Sequence, residues 1–326
     1  MPQSTDPRAH ASALLSFEGP APPAEVIGQS REGRPLHAHR IGAGPLSINL
    51  VGGCHADEPV GPRLLEKLVR YLASPRGEAL RSLGRWSVIP HINPDGAAVN
   101  APWQPGDAEA YDFVRLLEHR VRELPGDDIE FGFGAGAAAL RPENTAALDF
   151  WRSGGPIDLH VSMHGMSVAA GPYFLVEEGW WPRFEPLAQG LAREVAAAGY
   201  TLHDVERLGE KGFHRLARGF CTRPDSVAMR DHFLALRDQA TASRFRPSSM
   251  EAVRSFSDDP LTLVTEMPLF ITPGVGETLG PPDPRLEAWK QRIAGWLARV
   301  QRSDGDPESL NAVGAEAETE GLRPMA

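Results

Sequence analysis

Apolar residues fall in short runs that alternate with longer amphipathic stretches. Leu46–Gly52 (LSINLVG) is an apolar run ending in a glycine pair, the pattern of a buried strand followed by a tight turn. From Pro59 to Ala73, Leu64, Leu65, Leu68, Val69 and Leu72 recur at helical spacing. Trp86–Ile92 predicts a second strand, stopped by the turn signal Asn93-Pro94-Asp95-Gly96. Further strands are predicted at Ile157–Met163, Tyr173–Val176 and Leu261–Thr265. Helices are predicted at Phe184–Ala198, closed by Gly199, and at Leu286–Val300, where Trp289, Ile293, Trp296, Leu297 and Val300 share one face. Strands alternating with helices predict an α/β fold with a largely parallel or mixed sheet.

Composition narrows this. The chain has 326 residues, 41% hydrophobic and 23% charged, a globular balance that excludes a wholly disordered protein. Its 33 glycines and 30 prolines have no period, which excludes collagen and suggests many loops. The polar first 24 residues read as a loose arm and residues 302–326 as a disordered tail, leaving one folded domain over residues 25–301. No apolar run is long enough for a signal peptide or a membrane span, so no membrane partner is expected. A net charge of −10 argues against nucleic acid as a partner. Two cysteines, Cys54 and Cys221, exclude a disulfide framework and suit a reducing, cytoplasmic compartment. Residues 210–254 are locally basic and read as a solvated surface or as a rim that attracts an acidic substrate.

Four positions carry candidate chemistry. His55 and Glu58 stand three apart where the first long strand gives way to a helix, a spacing that lets both reach one ion. A catalytic zinc site takes three protein ligands, and His164, at the end of a predicted strand, offers the third. His160 is a rival, because positions 160, 162 and 164 share one strand face. Glu266 ends the apolar stretch LTLVTE, a place packing alone explains poorly, and reads as a general base beside a metal-bound water.

In chain order, Gly28-x-Ser30-x-x-Gly33-Arg34-Pro35, His55-x-x-Glu58, Asn93-Pro94-Asp95-Gly96, Ser162-x-His164-Gly165-x-Ser167 and Thr265-Glu266 resemble the zinc carboxypeptidase (funnelin) family. The resemblance implies a single α/β/α domain with a mixed, mostly parallel central sheet of about eight strands. It implies one zinc ion on His55, Glu58 and His164, with Glu266 activating the zinc-bound water to cleave a peptide or amide bond. His164 is preferred to His160 because it alone is followed by the small-x-Ser pattern. The resemblance also allows an N-acyl amino acid deacylase, of the desuccinylase and aspartoacylase type, or a zinc-binding protein without catalysis. One segment departs from the family. Where an Asp-Leu-Asn-Arg stretch is expected, the chain has Asp127-Asp128-Ile129-Glu130-Phe131-Gly132, so Glu130 is expected to face the substrate pocket and shift specificity. Arg115, Arg122, Arg152 or an arginine of residues 210–254 is expected to take over recognition of a substrate carboxylate.

Overall fold

The structure, a computed structural model, describes residues 13–106, 110–134, 140–204, 206–273 and 284–325. Its strands are β1 (Glu25–Gln29), β2 (Pro35–Ile41), β3 (Leu46–Gly52), β4 (Gly84–Ile89), β5 (Leu159–Ala169), β6 (Tyr173–Val176), β7 (Arg215–Ala217), β8 (Phe220–Thr222), β9 (Leu261–Ile271) and β10 (Arg323–Pro324). The mixed α/β class is as the sequence predicts, with ten strands among the described residues rather than about eight. The chain groups into two compact units. Of the described residues, the first unit holds those within 13–97, 123–164 and 225–264, the second those within 98–122, 165–224 and 265–325, and β5 and β9 contribute residues to both.

In the first unit the strand order is β1-β2-β4-β3-β5-β9. β3 runs parallel to β4 and to β5, while β2 and then β1 add on antiparallel. β9 starts level with β5, where Leu261 N donates to Asp158 O at 2.9 Å. Six of the seven residues of β3 are buried, as a central strand covered on both faces requires. One face carries Ile48, Leu50, Val88 and Val161 against Leu65 and Val69 of the helix Val60–Ala73. The other carries Val51 and Ile89 against Ala147, Leu148, Phe150 and Trp151 of the helix Pro142–Ser153. Each such fully buried aliphatic or aromatic side chain contributes about 1.5–3 kcal/mol. This unit is therefore three layers deep, helix on sheet on helix.

In the second unit the strand order is β9-β6-β8-β7, with β10 antiparallel to β9. β6 and β8 are parallel and β7 is antiparallel to β8. The rings of Phe113, Phe270 and Trp296 meet edge to face in its core. Residues 302–326 are not a disordered tail among the described residues. Pro307–Thr319 is a helix capped by the Asp306 side chain, and it buries Val313 and Ala317. No helix among the described residues is long and apolar enough to cross a membrane.

Candidate metal centre

The loop after β3 is shaped by its glycines. A Cβ on Gly52 would lie 2.8 Å from Pro90 O, and Gly53 has φ +74°, so this tight turn suits glycine at both positions. The turn carries Cys54 and His55, and Glu58 follows just before the helix Val60–Ala73. Glu123 holds the turn from the side. Its carboxylate accepts from Ala56 N at 3.2 Å, from Asn93 Nδ2 at 2.9 Å and from Arg141 Nη1 at 2.8 Å. The Asn93–Gly96 motif does a second job. Asp95 accepts from Ser30 Oγ and Arg34 Nη1, both at 2.6 Å, and so ties the β1–β2 turn to the start of the helix Pro94–Asn100.

β5 supplies the opposite wall. Side chains alternate across a strand, so His160, Ser162 and His164 share a face, and all three are buried. Nδ1 of His164 lies 3.1 Å from Nδ1 of His55 and 2.9 Å from Glu58 Oε2, and His55 Nδ1 lies 2.8 Å from Glu58 Oε1. His160 does not join them. It sits opposite Asn49 on β3, with Nδ1 2.9 Å from Asn49 Nδ2 and Nε2 3.0 Å from Ser249 Oγ.

Behind each imidazole stands a carboxylate from one short segment. Asp128 Oδ1 is 3.8 Å from His55 Nε2, and Glu130 Oε2 is 3.0 Å from His164 Nε2. Glu130 is only 3% exposed and is fully engaged, accepting from Ser162 Oγ at 2.9 Å and from Ser249 N and Oγ at 3.0 and 2.9 Å. The structure places the Glu130 carboxylate against His164. The neighbouring cleft, about 300 Å³, is lined by Asp128 and Phe131, together with Arg31, Arg141, Arg244 and Arg246. Glu266 lies on β9 within the second unit, partly buried. Glu123 and Ser249 were not singled out by the sequence, since isolated Ser and Glu residues carry no spacing signal, and Asp128 was named only as part of the segment around Glu130.

The electrostatics follow from this packing. Burial disfavours charge on His55, yet the Glu58 carboxylate outweighs it and lifts the ring to about 10. Burial likewise opposes charge on His164 and Glu58, and their mutual attraction wins, raising the imidazole well above its ordinary value and holding the carboxyl far below its own. Glu130 resists burial through His164 and Ser249 and is held down to about 2. The Glu58 carboxylate thus favours positive charge on or between the two rings.

Those donors fit a divalent ion. Ligands at ~2.0–2.1 Å in a tetrahedral zinc site stand roughly 3.3 Å from one another. The separations of 2.8–3.1 Å fall just inside that value. The paired Nδ1 atoms have no reason to face each other unless protons or a cation lie between them, and a carboxylate behind each ring is the usual support for a metal-bound imidazole.

Among solved structures, the chain is similar to a presumed metallopeptidase of Shewanella amazonensis SB2B, with 18% identity, TM-score 0.48, and coverage of 98% of this chain and 92% of that one. A presumed metallopeptidase of Shewanella denitrificans OS217 shows 16% identity, TM-score 0.47 and coverage of 80% of each chain. A metallo-carboxypeptidase of Pseudomonas aeruginosa, solved with (2-guanidinoethylmercapto)succinic acid, shows 20% identity, TM-score 0.43 and coverage of 80% of this chain and 58% of that one. No curated protein matches the chain. Residues 24–177, which hold His55, Glu58, Glu130 and His164, match the zinc carboxypeptidase family model.

Proposed function

We propose that the chain is a zinc-dependent hydrolase of peptide or amide bonds, with one zinc ion held by Nδ1 of His55, the carboxylate of Glu58 and Nδ1 of His164. The convergence of these donors from two distant segments carries the reading. Two imidazoles and one carboxylate are a catalytic rather than a structural zinc set, since they leave a position open. When bound, zinc supplies Lewis acidity and brings a coordinated water toward a pKa of ~7. Glu266 takes a proton from the attacking water and delivers it to the leaving amine, a role its place after an apolar strand stretch favours. Asp128 and Glu130 hold the two rings in orientation.

The arginine-lined cleft suits the anionic end of the substrate. Arg244 and Arg246 belong to the basic stretch read from the sequence, and Phe131 adds an apolar wall. A peptide carboxy-terminus and a compact N-acyl amino acid both present such a carboxylate. Turnover of a panel of short peptides against N-acyl amino acids separates the two.

The test is metal analysis joined to one substitution. The purified chain is expected to carry one zinc, lost in His164→Ala. Glu266→Gln is expected to keep the zinc while turnover falls about 10²–10⁴-fold, the usual worth of a positioned acid–base group. Retained turnover in Glu266→Gln places the base elsewhere, and a wild-type chain that takes up no zinc removes the whole reading.

A further inference from the structure

The groups behind His164 form a continuous chain whose proton positions can be worked out from its strongest acceptor. Glu130 Oε1 receives the backbone N–H of Ser249 at 3.0 Å, a donor that cannot reverse, so this oxygen is an acceptor. The same Oε1 lies 2.9 Å from Ser249 Oγ, so the Ser249 hydroxyl proton points at the carboxylate. The Ser249 oxygen is then left to accept, and His160 Nε2 at 3.0 Å must donate to it. With its proton on Nε2, His160 offers Nδ1 as an acceptor, and the Asn49 amide at 2.9 Å donates there. On the other side, Glu130 Oε2 at 3.0 Å draws a proton to His164 Nε2. Nδ1 of His164 is thereby the nitrogen turned toward Glu58 and His55, and it would offer its lone pair when a metal ion displaces its proton.

His160 and Ser249 are completely buried and Glu130 nearly so. Burying two polar side chains and a carboxylate beside an imidazole is costly, and apolar residues would fill the same space without that cost. His160 also sets its ring edge to face against Trp151, with centroids 5.3 Å apart, which fixes its plane. Each of these links pairs a donor with an acceptor, and the chain ends on the His164 nitrogen that faces Glu58 and His55.

We propose that Glu130, Ser249 and His160 form a buried positioning relay that keeps Nδ1 of His164 directed at the metal centre, so that three side chains with no contact to the ion help set its affinity. The relay rests on the metal reading above and adds the residues that tune it. It also accounts for the strand face that carries His160: this histidine is the far anchor of the relay, two strand repeats from the ligand.

The experiment is zinc titration of the full chain against a competing chromophoric chelator. Glu130→Gln is expected to weaken zinc binding 10–100-fold, the usual effect of losing an outer carboxylate. Ser249→Ala and His160→Gln are expected to weaken it by about 3–10-fold, and Ser249→Thr, which keeps the hydroxyl, to restore it. In the Glu130→Gln background, Ser249→Ala should add nothing, because the link it feeds is already gone. In the zinc-loaded protein labelled with ¹⁵N-histidine, the His164 Nε2 proton should resonate far downfield in the wild type and move upfield in Ser249→Ala, a shift that packing damage alone does not produce. If Glu130→Gln fails to fold, Ser249→Ala, which removes one oxygen, carries the test. Variants that bind zinc as the wild type does, or an effect of Ser249→Ala that persists undiminished without Glu130, overturn the relay alone. A wild type without zinc overturns the relay together with the metal reading.

Discussion

Two imidazole nitrogens 3.1 Å apart, each within 3 Å of the same carboxylate, are stable only with positive charge between them. Without a metal, ring protons supply that charge, and a divalent ion would displace them. Zinc uptake near neutral pH is therefore expected to release up to about two protons per ion, measurable by calorimetry in buffers of different ionisation enthalpy. Because protons and metal compete, affinity should climb as pH rises toward the value of about 10 set for His55. Uptake without proton release would mean that the rings are already neutral. Beside the cluster, Arg244 lies on the cleft wall and is exposed. Arg244→Ala is expected to raise KM about tenfold with kcat little changed, as loss of uniform substrate binding does. Glu123 is a different case. Its carboxylate joins Ala56, Asn93 and Arg141, and Arg141 is only 9% exposed. Glu123→Ala leaves a buried guanidinium short of a partner and should cost on the order of 3 kcal/mol in urea unfolding.

Elements with one strong pattern were legible in the sequence. β3 shows as an unbroken apolar run, and the helix Val60–Ala73 shows as a leucine stripe, because each faces a core that tolerates nothing else. The helix Pro307–Thr319 was hidden. Its sequence PESLNAVGAEAET buries only Val313 and Ala317, so its composition matches that of a tail. The site was half legible for a related reason. His55, Glu58 and His164 have motif spacing, whereas Ser249 is one serine in a basic stretch and is placed against Glu130 only by the fold. Glu130 was found by its position, but its partner was not, since sequence order does not say which side of a segment faces a strand. The C-terminal helix makes its own prediction. Trp296 Nε1 donates to Glu316 at 3.1 Å, and Val313 and Leu322 are buried. A chain ending at Ser303 should lose several kcal/mol of burial and melt roughly 5–10 °C lower. An unchanged melting temperature would show that helix to be dispensable.

At the scale of the whole molecule, stability carries an acid limit. His203 is 5% exposed and accepts from Ala170 N on Nδ1. Burial, reinforced by Arg207 and opposed by Asp204, lowers its pKa to about 4. The unfolded chain takes up this proton near pH 6.5 and the folded chain does not, so the unfolded state binds more protons between those values. Stability is thus full above about pH 6.5 and falls as pH drops toward 4, by up to about 3 kcal/mol from this group. Urea midpoints across that window should show the slope, and His203→Asn should flatten it. An unaltered slope in that variant assigns the acid limit to other groups.

The turn that carries His55 also carries Cys54, 1% exposed, with its thiol pushed up to about 12 by burial and the Glu130 charge. Alkylating reagents attack the thiolate, so a closed turn is inert to them. In a Cys221→Ser background this sulfur becomes a clock: the rate at which iodoacetamide captures it counts the excursions in which the turn lifts away. Each excursion must also let go of the ion, so saturating zinc should slow the capture by the factor (1 + [Zn]/Kd), turning one cysteine into a gauge of how tightly the centre is latched.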